Sequence, residues 1–196
     1  MVTSPIELYT DGSSLRNPGA SGLAYVIRYF NDGNDNAEII EGSQGFRLST
    51  NNRMEIMAAL WGLRAILAKV TDGTLTGTHQ INLMSDSEYL CKAINQHWID
   101  KWSQNNWMTS GFKGQKPKPV KNKDLWEQVI AMQQKVSSMG INLTVTHVDG
   151  HSGHQFNERA DQLAVAASNG TNHISDEVYE KENPQQQTMN TWTPRG

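Results

Sequence analysis

Residues 6–13, Ile6-Glu7-Leu8-Tyr9-Thr10-Asp11-Gly12-Ser13, decide how the rest of the chain is read. Ile6 to Thr10 alternates with period two, the mark of a half-buried strand. The strand runs straight into Asp11-Gly12-Ser13, so a carboxylate stands at its C-terminal end. In open α/β sheets, ligand sites gather outside the carboxyl ends of strands.

Working outward, Asn17-Pro18-Gly19 and Ser21-Gly22 are turn formers, and Leu23–Phe30 is dense in aromatic and β-branched residues, as a strand is. The polar run 31–36 reads as a long hairpin connection, and 37–48 as a third strand. Ser49-Thr50-Asn51-Asn52 offers N-caps for a helix in which Met54, Met57, Ala58, Trp61, Ala65 and Ala68 recur at helical spacing. That stripe reads as core packing. A short strand, 81–85, ends at Asp86, and helical stretches follow at 87–95 and around Trp98 and Trp102. After a loop bearing Gly111, Gly114, Pro117 and Pro119 come a helix over about 121–138, a strand over 141–147 and a last helix over 157–167. Three consecutive strands, then helices alternating with single strands, predict an α/β fold with a mixed sheet and helices on both faces. A domain over 1–170 is expected. From 171 to 196 Thr, Asn, Gln, Pro and Glu dominate, which predicts a flexible polar tail.

The 196 residues suffice for one sizeable core. No apolar run approaches the roughly 18 residues of a membrane span, and residues 1–5 lack a signal-peptide pattern. The single cysteine, Cys91, permits no intrachain disulfide, so the expectation is a cytoplasmic monomer without an evident protein partner. The net charge of −3 hides a segregation: residues 92–123 carry seven lysines against Asp100 alone. On charge alone this is either a patch for a polyanion or a solvated lysine-rich loop.

Four carboxylates stand out: Asp11, Glu55, Asp86 and Asp161. Each has an ordinary structural explanation. Asp11 suits a turn, Glu55 the first turns of a helix, Asp86 an N-cap, and Asp161 a solvated helix face. Brought together they would repel one another, and a hard divalent cation such as Mg²⁺ would relieve that repulsion. Oxygen ligands without a Cys/His set argue against zinc.

Their flanks sharpen the reading. Tyr9-Thr10-Asp11-Gly12-Ser13 with Asn17-Pro18-Gly19, Thr50-Asn51-Asn52-Arg53-Met54-Glu55, Ser85-Asp86-Ser87 with Tyr89, and Gly150-His151-Ser152-Gly153-His154 with Asn157-Glu158-Arg159-Ala160-Asp161 follow in this order. Together they resemble the bacterial kind of type 1 ribonuclease H, over roughly residues 5–168. The resemblance implies a five-stranded sheet, three strands antiparallel and then two parallel. It implies an endonuclease that hydrolyses the RNA strand of RNA–DNA hybrids by a two-metal-ion mechanism, leaving 3′-hydroxyl and 5′-phosphate ends. Asp11, Glu55, Asp86 and Asp161 would bind two Mg²⁺ ions with substrate, Mn²⁺ being a possible substitute. His151, on a loop, would assist proton movement or product release, with His154 the less favoured of the two histidines. Asn17, Asn51 and Asn52 would contact the hybrid's minor groove, where the 2′-hydroxyl distinguishes RNA from DNA.

By the same resemblance, Thr50 and Asn122 would belong to a pocket for a DNA phosphate. Trp98, Trp102 and Trp107 with the lysines after them match a basic handle at about 98–122. Trp98 reads as core. The chain also departs from the family. Ser103-Gln104-Asn105 is neutral where the handle is usually basic, so its charge moves to Lys113, Lys116 and Lys118. Leu48 stands where the phosphate pocket has an arginine, with Arg47 one residue earlier. Glu88 replaces a glutamine. Another nuclease or integrase on a similar sheet would lack the handle and the Asn-Asn-Arg-Met-Glu segment, and a pure binding module would gain nothing from clustered carboxylates.

Overall fold

The computed structural model describes residues 4–31, 36–110, 116–150 and 153–189. Strands β1 (Ile6–Ser14), β2 (Gly19–Tyr29) and β3 (Glu38–Ser49) form an antiparallel meander. Helix α1 (Asn51–Thr71) follows, then β4 (Gln80–Ser85), α2 (Glu88–Asn95), α3 (Trp98–Gln104), α4 (Lys123–Ser138) and β5 (Asn142–His147). β4 lies parallel to β1, and β5 parallel to β4. α5 (Gln155–Asn169) closes the domain, and β6 (His173–Ile174), α6 (Glu177–Glu182) and α7 (Pro184–Met189) come after it. The strand order is β5-β4-β1-β2-β3-β6.

The expected mixed sheet with helices on both faces is present, with one strand more than the five expected. β6 pairs parallel with the outer edge of β3 through Gly45↔His173 and Phe46↔Ile174. Two residues are too few to show a period in sequence.

On one face α1 lies across β1 and β2, flanked by α2 and α4. Ile6, Leu8, Ile27, Ile56, Leu60, Leu63, Ile66, Leu83 and Trp126 fill that core. On the other face α5 covers β1, β2 and β3, with Ala160 against Tyr9 and Val26 and the Phe156 ring 5.5 Å from that of Tyr9. Both helices approach closely because glycine allows it. A Cβ on Gly12 would lie 2.5 Å from the Glu55 backbone nitrogen, and one on Gly22 would collide with the Ala164 carbonyl of α5.

Of the polar tail expected over 171–196, residues 171–189 are described and part of them docks on the domain, while 190–196 lie outside the described residues. Asp176 is only 5% exposed and caps α6 by accepting from the Tyr179 backbone N–H at 3.3 Å. Its carboxylate also accepts from Arg53 Nε at 2.7 Å, Arg53 Nη2 at 2.9 Å and the Ser49 hydroxyl at 2.6 Å. Asp124 takes the other side of the same guanidinium in two bonds of 2.8 and 2.9 Å. Arg53, 2% exposed, is thus a buried cation between two carboxylates. The segment docks through charge and hydrogen bonds, which is why apolar periodicity did not reveal it.

Candidate active site

The register of the sheet brings the acidic residues together. Thr10↔Ser85 is the last pair between β1 and β4, so Asp11 and Asp86 are the next residues on adjacent parallel chains. β1 itself continues: Asp11 pairs with Ala24 and the strand runs on to Ser14, so Asp11 lies within its strand and not at its end. Thr50 caps α1, its hydroxyl accepting from the Arg53 N–H at 3.4 Å, and the close contact at Gly12 sets Glu55 over Asp11. Ligand atoms of Asp11, Glu55 and Asp86 all lie within 4.8 Å of one another. Asp161, from the opposite face, is hydrogen-bonded to the Asp11 carboxyl.

Such a cluster is costly when bare. Burial, then the charges of Asp86 and Asp161, push the Asp11 carboxyl up to about 8. Burial, then Asp11 and Asp86, holds Glu55 well above the ordinary carboxylate range. Glu55 Oε1 accepts from Asn51 Nδ2 at 3.3 Å, whereas its buried Oε2 has no hydrogen-bond partner among the described residues. A buried, unpartnered carboxylate oxygen facing two further carboxylates fits a hard divalent cation, which would take the place of protons.

Asn17 Oδ1 accepts from the Asn51 N–H at 3.1 Å, joining the loop between β1 and β2 to the start of α1. Asn52 is exposed beside it. His151 and Lys113 lie outside the described residues. The backbone just before His151 passes against the cluster, since a Cβ on Gly150 would lie 2.9 Å from Asp86 Oδ2. His154 is exposed at the start of α5 and makes no capping bond.

The handle begins with α3. Trp98 packs on the core as expected, but so does Trp102, whose ring lies 5.9 Å from that of Trp98 and 6.0 Å from the buried Trp126. Trp102 thus anchors α3 through apolar contact while remaining half-buried. Thr109 and Lys118 close the base of the following loop, the Thr109 N–H donating to the Lys118 carbonyl at 2.8 Å. Lys116 and Lys118 are exposed.

Asn122, with positive φ at the start of α4, hydrogen-bonds the Tyr89 hydroxyl. Thr50 and Asn122 line one cleft together. Leu48 is 3% exposed in the core, and Arg47 turns outward to Glu180 at 3.8 Å, so neither brings a guanidinium there. Glu88 pairs with Lys92 at 2.6 Å on the surface. Sequence reasoning missed the Arg53–Asp124–Asp176 cluster. The available signal was Arg53 itself, a cation on the inward face of an apolar helix.

Residues 3–169 match the protein-family model RNase H. Among curated proteins, the ribonuclease H of Lachnoclostridium phytofermentans is 39% identical over 89% of this chain and 99% of its own length. That of Aeromonas salmonicida is 43% identical over 89% and 97%. Among solved structures, LC9-RNase H1, described as a type 1 RNase H with the type 2 active-site motif, superposes with a TM-score of 0.65 at 25% identity, covering 96% of this chain and 85% of that one. LC11-RNase H1, solved in complex with RNA/DNA hybrid, gives 0.54 at 23% identity, covering 83% and 95%, which bears on fold. Among the described residues no helix is long and apolar enough to cross a membrane.

Proposed function

Since the chain belongs to the ribonuclease H family, we propose that it hydrolyses the RNA strand of RNA–DNA hybrids at the cluster Asp11, Glu55, Asp86 and Asp161, leaving 3′-hydroxyl and 5′-phosphate ends. The observation that carries this reading is the meeting of three carboxylates, with ligand atoms within 4.8 Å of one another, one of which keeps a buried oxygen, Glu55 Oε2, without a hydrogen-bond partner among the described residues. Two Mg²⁺ ions, or Mn²⁺ in their place, would supply a nucleophile at neutral pH and stabilise the leaving oxygen. The four carboxylates hold and space that charge, and the rigid register of β1, β4 and α1 keeps them in position. Asn17, Asn51 and Asn52 present amides beside the cluster to read a 2′-hydroxyl. Lys113, Lys116 and Lys118 neutralise backbone phosphates at a distance from the chemistry. The enzyme acts as a monomer in the cytoplasm.

End-group analysis tests the chemistry. The RNA fragment on the 3′ side of the cut should accept a 5′ label from polynucleotide kinase only after phosphatase treatment, when the substrate RNA carries a blocked 5′ end. Fragments that accept it directly would overturn the assignment of the ends.

His151, which follows Gly150 in sequence, would act as a proton carrier, a role suited to a loop histidine. His151→Ala should lower turnover about 10²-fold, the lower end for such groups, with residual activity. Total inactivity in a folded variant would make His151 a ligand or a structural residue, and a defect confined to His154→Ala would transfer the role.

The lysines should govern affinity. Replacing Lys113, Lys116 and Lys118 together by alanine should raise KM, leave kcat nearly unchanged and flatten the log–log salt slope of binding by up to about 2.7. An unchanged KM with an unchanged slope would show a loop that is merely solvated.

A further inference from the structure

Tyr179, Asn183 and Gln186 belong to the docked C-terminal segment, beyond residues 3–169 matched by the family model. They form one wall of a cleft of about 510 Å³. Asn17, Asn52 and Lys121 stand on the domain side of the same cleft. Two hydrogen bonds tie it to the carboxylate cluster, Asn51 N–H to Asn17 Oδ1 and Asn51 Nδ2 to Glu55 Oε1. The cleft takes in Thr50, Asn52 and Arg53 at the N-terminal end of α1, close in sequence to Glu55.

The cleft is rich in hydrogen-bond donors but poor in usable charge. Arg53 reaches it, but its charge is taken up by Asp124 and Asp176, which accept four hydrogen bonds from its guanidinium. Lys121 makes no ion pair among the described residues, and Glu182 sets one negative charge against it. What remains is carboxamide. Gln186 Oε1 accepts from the Tyr179 hydroxyl at 2.8 Å, which fixes the side chain and leaves both N–H donors of its Nε2 without a partner among the described residues. Asn183 Nδ2 donates one bond to the Tyr179 carbonyl at 2.9 Å, and the Gln186 backbone N–H donates to the Asn183 carbonyl at 3.1 Å. Both amides are therefore held by their own segment before any ligand arrives, which lowers the cost of ordering them on binding.

Resting on the hybrid-nuclease reading above, we propose that Asn183 and Gln186 of the C-terminal segment add two amides to the phosphate pocket that Thr50 and Asn122 line, and so bind a backbone phosphate of the bound hybrid together with them and Lys121. The C-terminal segment is thereby part of the substrate-binding surface, where neutral amides do work that a second cation would otherwise do. Neutral donors displace few counterions, so this contribution should be nearly independent of salt.

The test is the Kd of a fluorescent RNA–DNA hybrid, by anisotropy in EDTA, at two or more salt concentrations. The double variant Asn183→Ala/Gln186→Ala should weaken binding about five- to tenfold at every salt concentration, with the wild-type slope retained. Gln186→Lys should steepen the slope by about 0.9, one added phosphate contact. Gln185→Ala, outside the cleft, is the control, and melting temperatures report folding. Wild-type affinity in the double variant together with a wild-type slope for Gln186→Lys would overturn the proposal. Tighter binding by the double variant would also overturn it, showing a segment that occludes the surface. Failure of the nuclease reading is separate: the wild type would bind the hybrid but leave it uncut when Mg²⁺ is added.

Discussion

Asp11→Asn is expected to abolish hybrid cleavage, leave hybrid affinity nearly intact and raise the melting temperature of the metal-free protein. Removing one ligand from a site that supplies several kcal/mol of charge stabilisation should cost roughly 10³-fold or more in rate. Binding rests on groove and phosphate contacts made elsewhere. The stability gain follows from the same cluster. Burial and the neighbouring Asp86 and Asp161 push the Asp11 carboxyl up to about 8 in the folded protein, against an ordinary value of 3.8. Between those values the folded state holds a proton that the unfolded state has released. The folded protein therefore loses stability as pH rises from about 4 to about 8, and above that it bears the full repulsion. An uncharged asparagine removes this term. The variant should melt higher than wild type at pH 8, by roughly 5–10 °C if a few kcal/mol are recovered, and little differently at pH 4. Mg²⁺ should raise the wild-type melting temperature most near pH 8 and that of Asp11→Asn much less. Cleavage at the wild-type rate, or a variant less stable at pH 8, would count against the site as described.

Asp176→Ala should produce a large loss of stability through a residue outside the carboxylate cluster. It leaves the buried Arg53 guanidinium with Asp124 alone and removes the cap of α6. Breaking a buried pair by removing one partner costs roughly 3–5 kcal/mol, here a fall of about 10 °C or more in melting temperature. Truncation after Gly170 removes the same carboxylate and should destabilise at least as much. If the cause is the stranded charge, Arg53→Met combined with Asp176→Leu should restore much of the loss, because an apolar pair of similar volume leaves no cation buried alone. Asp124 is partly exposed and can be solvated in that background. A change of less than about 2 °C on Asp176→Ala would mean that the segment only rests on the domain.

These two sites also mark what the sequence disclosed. Asp11 and Asp86 were legible because strands announce themselves by alternation, and parallel pairing then places consecutive residues side by side. Glu55 followed from the Thr50 cap and the apolar stripe of α1. The path of β1 beyond Asp11 was not legible, because Gly12, Ser13 and Ser14 read as turn formers and only their pairing with β2 makes them strand. The packing of Trp102 was not legible for a related reason: a tryptophan among lysines looks the same in sequence whether or not its ring meets Trp126. The C-terminal segment was missed because it docks by one carboxylate and a two-residue strand, neither of which leaves a periodic trace.

Cleavage of an RNA–DNA hybrid labelled on one strand at a time, run beside duplex DNA and duplex RNA with Mg²⁺ and with EDTA, tests the central claim most directly. The predicted result is internal cutting of the RNA strand of the hybrid alone, with Mg²⁺ alone. Cutting of the DNA strand or of either homoduplex at a comparable rate, or undiminished cutting in EDTA, would contradict it.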